Sequence, residues 1–282
     1  MNDTADSSRH WLALGFAALL AVPLFLTVAA FYDLATVSPD AIVAGTPLVI
    51  TPTLTAQPSA TPDPAQAYLD GLAAYQAGDY AAAEHGFRAA LALAPGQPDW
   101  HNSLGLALAQ LGRPAEAIAQ YQAALAIDPA LAEAQYNLAA AYHTLPDFPA
   151  AEAAYRAALQ AAPDFALAYL GLGNLYQDQQ RSAEALAAYQ RAVELAPELA
   201  TAHLNLGVAY ANLGEWNRAA TALERAVALE PGSASAHYNL GVVYAYQARA
   251  EAARQAFQTV LALAPGTDWE TDARRQLAQL QP

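Results

Sequence analysis

Two kinds of side chain recur in this chain at a spacing that could do chemistry. Asn137, Asn205 and Asn239 stand at multiples of one 34-residue interval, and so do His101, His203 and His237. Amides held in a row can donate to and accept from a peptide backbone without reading its side chains. Imidazoles held close together could ligate a metal. The ligands of one zinc lie ~2 Å from it, whereas equivalent positions in successive helical units are at least one packing distance apart, about 8 to 10 Å. The histidines are therefore expected to serve as bulky rings that wedge each unit against the one before, with no metal bound. The chain has no cysteine, which removes disulfides, thiolate metal sites and cysteine nucleophiles together. No nucleophile stands beside a base, and there is no phosphate-binding loop and no carboxylate pair. No catalytic residue, no cofactor and no enzyme activity are expected.

Charge narrows the partner. The positive charge comes from 12 arginines alone, against 26 acidic residues, for a net charge of −14. Such a surface repels phosphate backbones, so nucleic acid is excluded as a partner. The 282 residues are 55% hydrophobic, well supplied for a core, and much of that fraction is alanine, which implies small residues packed closely.

The elements that position these side chains follow from the interval itself. Pro95, Pro129, Pro163, Pro197, Pro231 and Pro265 stand 34 residues apart, the mark of a stacked-repeat protein. Six units result: 64–97, 98–131, 132–165, 166–199, 200–233 and 234–267. Each holds two apolar patterns of helical period split by a short break, such as "QLGRP" at 110–114 or "NLGEW" at 212–216. Each unit is thus a helical hairpin, and the proline, lacking an N–H, ends its second helix. The eighth place of the units holds Gly71, Gly105, Ala139, Gly173, Gly207 and Gly241. The twentieth holds Ala83, Ala117, Ala151, Ala185, Ala219 and Ala253. A close crossing of two helices needs residues this small. Leu104, Leu138, Leu172, Leu206 and Leu240 on the first helices, with Phe87, Tyr121, Tyr155, Tyr189, Leu223 and Phe257 on the second, are expected to fill the gaps between hairpins.

With Tyr169, Leu172, Gly173, Tyr176, Ala185, Tyr189, Ala192 and Pro197 in place, the stretch "YLGLGNLYQDQQRSAEALAAYQRAVELAP" resembles the tetratricopeptide repeat (TPR). The resemblance covers 64–267 and implies an all-α fold, a right-handed α-solenoid of six TPR hairpins. The first unit departs from the pattern, with Asp70 in the leucine place and Ala74 in the tyrosine place. The second has Leu108 in the tyrosine place. The first unit reads as an end cap, and 268–282 as a C-terminal capping helix with Ala273, Leu277 and Leu280 inward.

The resemblance also implies a concave groove, lined by the first helices, that binds segments of partner proteins. By the family's geometry its wall takes Tyr68, Leu72 and Tyr75, then Asp99, Asn102 and Leu106, then Glu133, Tyr136, Asn137 and His143. The later units add Asn174, Gln177 and Asp178, then Leu204, Asn205 and Val208, then Tyr238, Asn239, Val242 and Tyr246. None of the nine arginines in the repeats falls on these places, so the wall is aromatic, amide-rich and faintly acidic. The co-chaperone subclass of the family clamps an acidic carboxylate with cations on this face, and their absence rejects that subclass. The asparagine row resembles the asparagine ladder in the TPR arm of the O-linked N-acetylglucosamine transferases, broken here by Ser103 and Gly171. The partner implied is a protein or peptide segment, extended and neutral to basic.

Ahead of the repeats, "WLALGFAALLAVPLFLTVAAF" at 11–31 holds 21 residues without an ionisable side chain. As a helix it would run roughly 30 Å, enough to cross a bilayer. Residues 1–10 then form a cytoplasmic N-terminus, 11–32 an N-terminal transmembrane signal-anchor helix, and the Pro/Thr-rich 33–63 an extended linker. Arg9 precedes the span and no basic residue follows until Arg88, a bias that sets the repeats outside the cytoplasm. A cleaved signal peptide, cut after the small residues Val28, Ala29 and Ala30, is the alternative and would give a secreted protein. The function expected is a membrane-tethered protein–protein interaction scaffold for a partner in a bacterial envelope. The alternatives are an assembly factor for an envelope machine, in cytochrome c maturation or pilus biogenesis, and a noncatalytic TPR arm of a glycosyltransferase system. Oligomeric state stays open.

Overall fold

The structure, a computed structural model, describes residues 63–280. These residues form thirteen helices and no strand. α1 (Pro64–Gln76) pairs with α2 (Tyr80–Leu93), α3 (Pro98–Gln110) with α4 (Pro114–Ile127), and α5 (Ala132–Thr144) with α6 (Phe148–Ala161). α7 (Ala166–Asp178) pairs with α8 (Ser182–Leu195), α9 (Ala200–Asn212) with α10 (Trp216–Leu229), and α11 (Ala234–Tyr246) with α12 (Ala250–Leu263). α13 (Asp268–Gln279) closes the series. Among the described residues no helix is long and apolar enough to cross a membrane. The span expected over 11–32 and the linker, apart from Asp63, lie outside the described residues.

Local chemistry sets the helix ends. Asp63 accepts a hydrogen bond from the Ala65 N–H at 2.9 Å and Asp79 from the Ala82 N–H at 3.0 Å, each satisfying a donor that the first turn leaves free. Pro64, Pro98 and Pro114 open α1, α3 and α4, where a missing N–H costs nothing. Within each hairpin the fifteenth residue of the unit turns the chain back through the left-handed region. Gly78, Gly112 and Gly214 do so at φ of 79°, 72° and 74°, as only glycine does without strain.

Each helix packs on its neighbours in sequence, and each first helix also touches the first helix of the next hairpin. Second helices have no such mutual contact among the principal pairs. First helices are therefore the closer-spaced series, and the stack curves with them inside.

The small residues and the large ones meet differently from expectation. In every hairpin but the third, the large residue of the second helix lies across the glycine of its own hairpin. A Cβ on Gly105 would come within 2.5 Å of the Tyr121 ring, on Gly173 within 2.5 Å of the Tyr189 ring, and on Gly207 within 2.6 Å of Leu223. In the first hairpin the backbones themselves touch, since a Cβ on Gly86 would sit 2.6 Å from the Gly71 Cα. The third unit has Ala139 in the glycine place, fully buried. There the Tyr155 ring leans on Gly171 of the next unit instead, 2.5 Å from where a Cβ would be.

A second device fixes one hairpin on the next. Gln122 donates to the Tyr142 hydroxyl at 3.0 Å, Arg156 to Tyr176 at 3.3 Å and Gln190 to Tyr210 at 2.9 Å, while Tyr244 donates to Glu224 at 2.8 Å. All four bonds join the same place of one second helix to the same place of the following first helix. The ends of the stack are polar. Gln66 donates to Asp70 at 2.8 Å on α1, both exposed, where later units bury a leucine at the place of Asp70. At the other end Ala273 is buried, with Leu277, Leu280 and Trp269 packed around it, and the Arg254 guanidinium donates to the Leu280 carbonyl at 2.8 Å.

Candidate functional site

The inner wall is formed by α1, α3, α5, α7, α9 and α11, and its amides are paired across helices. Asn137 Nδ2 donates to Asn102 Oδ1 at 2.9 Å, and Asn205 Nδ2 donates to Asn174 Oδ1 at 2.8 Å. Each clasp uses one donor and one acceptor. The NH2 group of Asn102 and the carbonyl oxygen of Asn137 keep hydrogen-bonding capacity that the clasp does not consume. Asn239 donates to the Ser235 carbonyl of its own helix at 2.8 Å. Where the row carries Ser103, that hydroxyl donates to the Asp99 carbonyl at 2.8 Å and accepts from Tyr68 at 3.1 Å.

The aromatic and aliphatic wall residues are half-buried. Tyr68 stacks on Trp100 with centroids 5.1 Å apart, Tyr75 meets Tyr80 edge-on at 5.2 Å, and Tyr136 lies between Tyr155 at 5.9 Å and Phe165 at 5.3 Å. Leu72, Leu106, Gln177, Leu204, Val208 and Val242 are half-buried on the same series of helices. His143 Nε2 is 2.8 Å from the Asp178 carboxylate, a link between α5 and α7. Three expected wall residues are less available than the rest. Tyr238 is 4% exposed because Trp269 of α13 covers it at 5.2 Å. Asn205 is 8% exposed, sunk by its bond to Asn174. Tyr246 is open but stacks flat on Trp216 at 4.3 Å, at the rim where α11 ends.

His101, His203 and His237 hold loops, and the expectation of a plain wedge is corrected. Nε2 of each donates to the carbonyl of the proline six residues upstream, Pro95, Pro197 and Pro231, at 3.0, 2.9 and 3.0 Å. Among the described residues no three His, Cys, Asp or Glu side chains gather to hold a metal.

Charge is segregated. Every arginine among the described residues lies on a second helix, at the N-cap of one, or on α13, and every one is ion-paired with a glutamate or aspartate. Hydrogen bonding from Arg181 holds the Glu152 carboxyl below its ordinary range. Asp99 and Glu133, on α3 and α5, are exposed and face no arginine.

Sequence reasoning passed over Trp100, the hydrogen bonds that Ser103 makes, and the pairing of Asn102 and Asn174 with the amide row. A signal existed for Trp100, which fills the third place of its unit where Ala134, Ala168, Ala202 and Ala236 stand in later ones.

Tetratricopeptide repeat models match residues 68–132 and 129–166, 172–238, and 214–280. The chain belongs to the tetratricopeptide repeat family. TPR proteins mediate protein–protein interactions. No curated protein matches the chain. Among solved structures it is similar to a chain of the APC/C hetero-tetramer, at 18% identity and a TM-score of 0.69 over 78% of this chain. This TPR chain spans 43% of the length of that one. It is similar to PilF of Pseudomonas aeruginosa at 18% identity and a TM-score of 0.68, covering 76% of this chain and 97% of PilF. Both likenesses are of fold alone. YrrB, whose structure is titled as that of a TPR protein with an unusual peptide-binding site, is 25% identical with a TM-score of 0.53, over 67% of this chain and 97% of YrrB.

Proposed function

We propose that the inner wall binds an extended, neutral-to-basic segment of a partner protein, and that the chain acts by holding that partner and not by catalysis. The segregation of charge carries this reading. The wall offers Asp99 and Glu133 without a cation beside them, while the arginines are engaged on the outer helices and α13. A basic segment meets carboxylates there, and an acidic one meets no charge-assisted donor. The clasped amides Asn102 and Asn137 add donors and acceptors suited to a backbone of any sequence. The likeness to YrrB supports peptide binding as a use of this fold.

Dodecapeptides with capped ends, ranging from acidic to basic, test it by calorimetric titration. Affinity should rise with positive charge. Asp99→Asn with Glu133→Gln should weaken the basic peptide by ~1 kcal/mol, roughly fivefold, leave a neutral peptide unaffected, and leave the melting curve unchanged. Equal affinity for acidic and basic peptides would overturn the charge argument.

The apolar run at 11–31 and the lone Arg9 ahead of it support a tether that holds the repeats outside the cytoplasmic membrane, toward an envelope partner. Protease added to intact cells should cut within 33–63. Protection of that segment until lysis would defeat the proposed topology.

A further inference from the structure

The twenty-fourth place of each unit points from the second helix toward the inner wall. It holds Phe87, Leu223 and Phe257 in the outer units and Tyr121, Tyr155 and Tyr189 in the three middle ones. The apolar occupants show that packing against the eighth place does not need a hydroxyl. The Tyr189 hydroxyl has a use, donating to Asn174 Oδ1 at 2.9 Å. In the two preceding units the residue matching Asn174 is Leu106 or Ala140, and neither can accept.

Tyr121 is 1% exposed and Tyr155 3% exposed, and among the described residues neither hydroxyl has a hydrogen-bond partner. No sealed polar side-chain atom in the described residues lacks a partner. Both oxygens must therefore reach the surface, although the rings are buried. The Tyr155 hydroxyl lies 2.7 Å from where a Cβ on Gly171 would stand. Gly171 occupies the sixth place of its unit, the place that carries Asn137, Asn205 and Asn239 elsewhere. The hydroxyl thus stands beside one of the two breaks in the amide row. Burial pushes both phenols above their ordinary range, so each stays a protonated donor.

We propose that the Tyr155 hydroxyl, with that of Tyr121 one unit earlier, is a ligand-binding group that donates to backbone carbonyls of an extended segment lying in the groove. A hydroxyl that is open to solvent and has no acceptor in the protein is left to water in the free chain, and a carbonyl brought to it takes the water's place. The inference rests on the groove reading and deepens it, naming the groups that touch the partner's backbone.

Tyr155→Phe, Tyr121→Phe and the double variant test it, using the basic dodecapeptide that binds the unaltered chain most tightly in the charge series. Each single variant should melt at or above the temperature of the unaltered chain and bind the peptide about fivefold more weakly, with the double weaker than either. Replacing the carbonyl that meets Tyr155 by a thiocarbonyl, a poorer acceptor, should weaken binding to the unaltered chain and not to Tyr155→Phe. A lower melting temperature for Tyr155→Phe would mean that the hydroxyl already serves the fold, and would overturn the proposal. Undiminished affinity in the double variant, while Asp99→Asn with Glu133→Gln still weakens the peptide, would overturn it and leave the groove standing. Failure of every peptide to bind the unaltered chain would remove both.

Discussion

Tyr189→Ala is expected to lower the stability of the middle of the stack by about 3 to 5 kcal/mol, the cost of deleting a buried aromatic ring. The side chain is 1% exposed, its ring lies against the bare Cα of Gly173, and its hydroxyl donates to Asn174. Alanine would leave a hole that glycine opposite cannot fill, and the helices are already too close to close it by moving. Tyr189→Leu should cost far less, because Leu223 does the same work against Gly207 one unit later. Urea unfolding followed by circular dichroism measures both. A loss below ~1 kcal/mol for the alanine variant, the size of an ordinary surface change, would mean that the ring-on-glycine contact is not what joins these helices.

Gly171→Asn would run the amide row unbroken from Asn137 to Asn239, and it should nonetheless destabilise the protein by about 2 to 3 kcal/mol. A Cβ at 171 meets the Tyr155 ring at 2.5 Å and its hydroxyl at 2.7 Å. The ring has nowhere to retreat, because Ala139 fills the place where other units offer glycine. Adding Ala139→Gly should rescue much of the loss, since Tyr155 could then lie on its own hairpin as Tyr121 and Tyr189 do. Rescue is the sharper observation, because two substitutions each unfavourable alone become tolerable together only if they share that ring. Costs that simply add would show that Gly171 is required for some other reason.

The hairpins were legible because the residues that define them act locally. A proline that stops a helix, a glycine that lets a ring approach and an alanine at a crossing each carry their meaning in type and interval. The bonds between units were less legible. Asn137 reaches Asn102 because the sixth place of one helix meets the fifth place of the one before. That offset depends on how far successive hairpins rotate, which no interval states. Tyr238 has the type and place of a wall residue, and it is buried only because α13 lays Trp269 over it. The role of the histidines could have been found, since His101, His203 and His237 each follow the unit-ending proline by six residues. That spacing carries a side chain back across the turn to the proline carbonyl. The exchange among Ala139, Tyr155 and Gly171 was visible as two exceptions to the pattern, one unit apart, whose common cause needed coordinates.

Because every hairpin rests only on those beside it, the array behaves mechanically like springs set end to end. Each interface is stiff by itself, yet small rotations accumulate from one to the next, and the separation between the Tyr68 end and the Tyr238 end is the most compliant coordinate of all. A long binding partner therefore selects a curvature as it docks, whereas a short one, spanning two or three hairpins, meets a surface of nearly fixed shape.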